Sequence, residues 1–475
     1  MLTIPLQNES HSPLYEQIYT YIKKEIHDYN LKEGEKLPSS RNLALHLGVS
    51  RNTINLAYDQ LVSEGYLESK NKSGYYVCNI MPLQKVQNKT KKTFSEMETV
   101  QEPSKDVSAS LSFLYDFSPF TIDLSNFPFS TWRKLSKDCM VGINQDLFLL
   151  GDNQGELDLR QAIAKYVHDA RGVQCQAEQI VIGAGMGYLL QLLTAILPQK
   201  APLAMENPTY MRAYSIFSSA GFPILPIPVT AHGIHTEYLK NTDAAYAYVT
   251  PSHQYPLGSV LGATGRHALL SWATKEEYRY IIEDDHDSEF RYKGKPIPSL
   301  QSLDTSESVI YLGTFSRSIA PAIRVAYMVL PPRLLTHYRT HCSFYSNTVS
   351  RIDQKILSDF LRGGHFERHL NKMRKIYHAK HDTMLEALSI FGNKIKISNY
   401  NAGLHLLVEF KVALSEEELL AIANGGGIRM YGLSSHEIEP IPHKYPICLM
   451  GFANLTTEQI KNGIQWLYSA LSNYF

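Results

Sequence analysis

The sequence predicts a multidomain chain. A small helical unit closed by a hairpin comes first, then a polar connection, then a large α/β domain that ends in a small α+β subdomain. Three features of the 475 residues predict it. Apolar residues recur at helical spacing in three short runs before residue 65, and an alternating stretch follows. Periodicity then fails from about residue 80 to residue 110. From about residue 111, apolar strand candidates alternate with helical segments, the pattern of a mainly parallel sheet. Hydrophobic residues make up 44%, enough for sizeable cores.

In the first unit, residues 10–79, "SPLYEQIYTYIKKEIHDY" opens with Ser12 as expected N-cap and Pro13 at the first helical position. Leu14, Ile18, Ile22 and Ile26 share one face. "LPSSRNLALHLG" is a second helix, capped by Ser39 or Ser40 and stopped at Gly48. A turn at Val49-Ser50 leads to a third, with Ile54, Ala57, Leu61 and Val62 inward and Gly65 ending it. "YLESKNKSGYYV" then alternates and turns at Asn71 to Gly74. This is the order of a winged helix-turn-helix.

The start of the third helix carries Arg51, Asn52, Thr53 and Asn55, donor- and acceptor-bearing side chains where a recognition helix meets base edges. Ser50 before it, Arg41 on the second helix, and Lys70, Lys72 and Gly74 at the hairpin complete the candidate DNA-binding set. The bland alternative is a solvated face of a protein-binding module. With 46 basic and 46 acidic residues, bulk charge does not choose between them. The motif does: "LPSSRNLALHLGVSRNTINLAYDQLVSEGYL" closely resembles the DNA-binding domain of the GntR regulators, which implies double-stranded DNA as partner.

Residues 80–110 are polar, charged and poor in aromatics, the composition of a flexible linker. The five cysteines are scattered without a C-x-x-C pair, and the eighteen histidines form no H-E-x-x-H, so no metal site is expected. No signal peptide is read at the N-terminus. "VIGAGMGYLLQLLTAILP" lacks charge, but its glycines and the strand-like "QIVI" overlapping its start argue a buried strand-turn-helix rather than a membrane span. A cytoplasmic protein with no membrane partner is expected.

In the α/β region, residues 111–475, candidate ligand groups sit where strands end. "GAGMG" offers Gly183 and Gly185 at a strand-to-helix turn, whose N–H groups can cradle a phosphate. "MENPTYMRAY" supplies Tyr210 and Arg212, "TPSHQYPLG" His253, and "IIEDDHDSEF" Asp284 and His286. "YLGTFSRSIAPAIR" adds Ser316, Arg317 and Arg324, and the small subdomain, about 394–475, adds Arg429. Each has a plain structural alternative: packing for Tyr210, a loop histidine at 253, a salt bridge at Asp284.

Together and in this order, these motifs resemble a fold-type I pyridoxal-phosphate domain, the PLP-dependent transferase-like fold of aminotransferases. Joined to the GntR-like reader, they resemble the MocR family of bacterial regulators over almost the entire chain, from "PLYEQIY" to "GFANL". The resemblance implies pyridoxal phosphate as cofactor, with Asp284 on its ring nitrogen, Tyr210 against its ring, and Arg324 and Ser316 on its phosphate. It also implies a head-to-tail homodimer and a small anionic effector, an amino acid or a vitamin B6 relative. The chain departs from the family at four positions. The lysine that forms the Schiff base is Arg317, and the tyrosine two residues after the ring aspartate is His286. A polar pair after "GAG" is Met186-Gly187, and an arginine for the ligand carboxylate falls on Ser435, leaving Arg212 or Arg429 to bind an acid.

A guanidinium stays protonated and cannot supply the neutral amine that imine exchange needs. The expectation is therefore a regulator that senses a ligand without turnover, with no catalytic residue and any pyridoxal phosphate held non-covalently. The alternative is a PLP-dependent aminotransferase with a fused DNA-binding domain. A dinucleotide oxidoreductase, suggested only by "GAGMG", is disfavoured by the glycine spacing.

Overall fold

A computed structural model describes residues 4–6, 12–28, 30–70, 73–78, 113–198, 200–292, 297–399 and 401–475. Lys72 and the expected linker, 80–110, lie outside the described residues. The chain divides into two compact units, Met1–Asp106 and Val107–Phe475.

In the first unit, α1 (Leu14–His27) buries Ile18, Ile22 and Ile26. It begins one residue later than the sequence suggested. Pro13, with ψ 148°, stays outside the helix as the cap residue, and its carbonyl accepts from the N–H groups of Glu16 and Gln17. The Ser39 side chain caps α2 (Ser40–Leu47) by accepting from Asn42 N–H, and Gly48 ends it at φ +65°. The Ser50 side chain caps α3 (Arg51–Ser63) in the same way, accepting from Thr53 N–H at 3.1 Å. Ile54, Ala57, Tyr58 and Leu61 are the buried face of α3, while Val62 is only half-buried. Tyr58 takes the inward place because its ring fills the core while its hydroxyl reaches out to donate to the Pro38 carbonyl at 2.9 Å. The strands β1 (Leu67–Lys70) and β2 (Gly74–Val77) pair antiparallel with Leu67 opposite Val77. At the other end of α3, the Glu64 carboxylate accepts from Tyr19 and Lys23 of α1 at 2.7 and 2.8 Å.

The second unit is built on an eight-stranded sheet. After β3 (Tyr115–Asp116), α4 (Phe129–Cys139) and α5 (Leu157–Arg171) come β4 (Ile180–Gly183) and α6 (Met186–Ile196). Then follow β5 (Leu203–Asn207), α7 (Met211–Ser219), β6 (Ile224–Thr230), β7 (Gly233–Ile234), β8 (Tyr246–Val249), β9 (Tyr280–Asp285), β10 (Val309–Thr314) and β11 (Ala326–Val329). The sheet order is β4-β11-β10-β9-β8-β5-β6-β7. From β10 to β6 the strands run parallel, and β4, β5, β8 and β9 are buried on both faces, as a covered parallel sheet requires. The strand β11 is antiparallel to both β10 and β4. Residues 315–325, with the short helical turn Pro321–Ile323, join it to β10, less chain than a parallel crossover needs.

The small subdomain follows the helix His365–Leu388. Its sheet orders β12 (Ile395–Ser398), β13 (His405–Phe410), β16 (Ile447–Gly451) and β15 (Tyr431–Gly432), while β14 (Ile428–Arg429) pairs in parallel with β3. The first residues of this unit therefore belong to the subdomain formed by its last ones, and Phe117 sits in that core. The chain "VIGAGMGYLLQLLTAILP" is β4, a turn and α6, and no helix among the described residues is long and apolar enough to cross a membrane.

Candidate functional site

The reader unit presents the N-terminus of α3. Arg51 and Asn52 are exposed there, Thr53 and Asn55 half-buried, and Arg41 is exposed on α2. Ser50 is occupied: its oxygen accepts from Thr53 N–H and lies 2.8 Å from the Thr53 hydroxyl. Lys70 on the hairpin is exposed and paired with Glu68 at 2.7 Å. Gly74 has φ +113°, a backbone state that disfavours any side chain, and a Cβ there would lie 3.2 Å from Lys36.

In the second unit, the C-terminal ends of β5, β8, β9 and β10 open into a cavity of about 550 Å³. Tyr210, Arg212, Asp284, His286, Ser316, Arg317 and Arg324 all line it. Arg324, at φ +52°, turns its guanidinium toward α6 and donates to the Ala184 carbonyl at 3.1 Å. Gly185 makes this approach possible: a Cβ there would lie 2.8 Å from the Arg324 guanidinium carbon. Arg317 is half-buried and donates to the Pro119 carbonyl at 2.6 Å.

Asp284, next to last in β9, is almost wholly buried, and Tyr248 donates to one of its oxygens. The other oxygen, Oδ1, has no partner. Burial drives the carboxyl pKa up to about 7 against the pull of the Tyr248 hydrogen bond. Such a group is ready to meet a cationic N–H. Burial also takes His286 down to about 4, so its imidazole is neutral near pH 7.

Not every expected residue reaches the cavity. His253 stands behind His286, its ring stacked at 6.1 Å and its Nδ1 2.9 Å from Asp287. Gly183 is a strand residue whose missing side chain makes room for Tyr188, 2.5 Å from a Cβ built there. Arg429 is a correction. It is exposed on β14, with its guanidinium over the rings of Phe113 and Tyr431 at 5.5 and 5.3 Å, and it does not line the cavity. Among the lining residues that went unread in the sequence are Phe120, Tyr255 and His436. Tyr255 and His436 hydrogen-bond at 2.8 Å across 181 residues of chain, which no local pattern signals.

Comparison with known proteins agrees with this architecture. Residues 14–77 match the bacterial regulatory proteins of the gntR family, and residues 121–467 match the aminotransferases of class I and II. The HTH-type transcriptional regulator YhdI of Bacillus subtilis (strain 168) is 38% identical over 98% of this chain and 97% of its own. The probable rhizopine catabolism regulatory protein MocR of Rhizobium meliloti is 32% identical over 98% and 95%. In fold, the second unit is similar to Pyrococcus horikoshii kynurenine aminotransferase, solved with PMP, at TM-score 0.68 and 23% identity, over 76% of this chain and 91% of that one.

A GntR reader followed by an aminotransferase-fold domain defines a class of protein, the DNA-binding transcription regulator with an enzyme-like second domain. Within that class, the chain belongs to the MocR family.

Proposed function

We propose that the aminotransferase-like domain of this regulator senses a small anionic ligand without turning it over, and that α3 reads the operator. The observation that carries this is Arg317 on the cavity wall, beside Arg212 and Arg324. Three guanidiniums suit a ligand bearing phosphate or carboxylate groups, and none of them can act as an amine nucleophile near neutral pH. An amino acid or a vitamin B6 relative has the right size and charge.

The residues fit pyridoxal phosphate in part. The unpartnered Asp284 oxygen suits a protonated ring nitrogen, Tyr210 suits the ring face, and Ser316 with Arg324 at the Gly185 turn suits the phosphate. When bound, that group supplies an electron-withdrawing ring. Residue 317 offers it a hydrogen-bonded clamp and no covalent anchor, so we assign non-covalent binding. Asp284, with its unpartnered oxygen, favours the second reading, an aminotransferase with a fused reader. By family likeness we also propose a cytoplasmic head-to-tail homodimer in which a partner completes the pocket.

The deciding experiment is an absorbance spectrum and an intact-mass spectrum of the purified protein with and without pyridoxal phosphate, before and after borohydride. Reversible binding with unchanged mass supports the sensor. A mass increase trapped by borohydride, on Lys293 or Lys295 for example, revives the enzyme.

A further inference from the structure

Behind the cavity, two imidazoles converge on one carboxylate. Asp287 is 1% exposed, and its Oδ1 lies 2.9 Å from His253 Nδ1 and 3.3 Å from His286 Nε2. The His286 approach lacks hydrogen-bond geometry, so Nε2 is a buried nitrogen without a partner. The second Asp287 oxygen, Oδ2, is likewise buried and unpartnered. An unmet polar atom is costly in a protein interior. The donor atoms of His253, His286 and Asp287 all lie within 4.8 Å of one another.

From this cluster we infer a binding site for one divalent transition-metal ion, with Zn²⁺ the best-suited ion, held by His253, His286 and Asp287. Two imidazoles and a carboxylate are ligands of the right hardness for such ions, and three protein ligands leave a coordination position for something else. His286 also lines the cavity, so the open position would face whatever ligand binds there.

The surroundings of His253 favour a metal on Nδ1. The Asn399 side-chain nitrogen donates to the His405 carbonyl at 3.4 Å, which turns its oxygen toward His253 Nε2 at 2.6 Å. An amide oxygen only accepts, so Nε2 donates to it, which holds the ring with Nδ1 facing Asp287 Oδ1 at 2.9 Å. A histidine oriented by a hydrogen bond on its far nitrogen is the usual arrangement of a metal ligand. The alternative, an imidazolium paired with Asp287, satisfies Nδ1 but leaves His286 Nε2 and Asp287 Oδ2 unmet.

The test uses the full-length protein stripped with a chelator, reloaded with Zn²⁺, dialysed and analysed for metal, with Co²⁺ as an absorbing substitute. Wild type is expected to retain one Zn²⁺ per chain and to give a visible Co²⁺ band. His286→Tyr and Asp287→Asn should each weaken retention by about tenfold or more. The double variant His337→Asn/His341→Asn, which removes a separate histidine pair, should keep the metal. No retained metal in wild type, retention by His286→Tyr, or loss in the control variant would each overturn the site. If Asp287→Asn fails to fold, His286→Tyr decides alone.

Discussion

The guanidinium of Arg317 donates from Nη1 to the carbonyl oxygen of Pro119, 2.6 Å away and 198 residues earlier in the chain. That bond fixes one nitrogen of the side chain while the residue still lines the cavity, so the arginine is positioned rather than loose. A positioned guanidinium is a clamp for an anion.

The first prediction follows directly. Arg317→Ala is expected to weaken binding of the pocket's anionic ligand by about 1.5–3 kcal/mol, the usual size for a hydrogen bond to a charged group. Arg317→Lys should restore covalent capture of pyridoxal phosphate only poorly, because His286 and the Met186-Gly187 turn are unchanged. Calorimetric titration with pyridoxal phosphate and borohydride trapping read the two effects separately. Efficient trapping by the lysine variant would show that residue 317 alone had silenced the chemistry.

On the DNA side, Arg51→Ala is expected to cost about 1–3 kcal/mol of specific binding, by loss of a base-edge contact. Arg41→Ala should weaken specific and random DNA alike and reduce the salt slope by about one. Gel-shift titrations over a range of salt distinguish the two. Indifference of both variants would move the DNA interface away from α3.

Ser50 tests a division of labour. Its oxygen caps α3, so Ser50→Ala should lower the stability of the reader by about 1 kcal/mol and Ser50→Gly by only a few tenths. Denaturant melts measure this without DNA. An unchanged melt with weakened DNA binding would return Ser50 to the contact set.

A fourth prediction concerns pH. Lys380 donates to Asp123 at 2.8 Å, both side chains 9% exposed. Burial acts to raise the Asp123 pKa, but the Lys380 and Ser125 hydrogen bonds outweigh it and leave the pKa lowered. A lowered folded-state value means the stabilisation is complete above the unfolded pKa of about 3.9 and is lost as pH falls through the folded value. Asp123→Asn should therefore cost about 3–5 kcal/mol at pH 7, the range for breaking a buried pair, and progressively less below about pH 4. Thermal melts at pH 7 and pH 3 give the comparison. An equal cost at both would assign the effect to packing.

How much of this was legible beforehand differed by element. The reader was readable because its signals are local: Ser39 and Ser50 as caps, Gly48 as a stop, isoleucines four apart on α1. Tyr58 was absent from the expected inward face, because its hydroxyl is satisfied by a carbonyl twenty residues away, at Pro38. In the large domain, the strands were visible as apolar runs, and their ends marked Tyr210, Asp284 and Arg317 as neighbours of a site.

The sequence by itself determined the order of elements, the residue types at the strand ends and the arginine at position 317, since propensity, capping and side-chain chemistry are written locally. Tertiary structure decided what those residues do together. It left Arg429 outside the cavity and set His253 behind His286 on a shared carboxylate. It also brought Phe120 and His436 to the same wall as Arg317. Burial, partner atoms and distances between residues hundreds of positions apart arise only when the sheet closes, because they depend on which strand ends become neighbours.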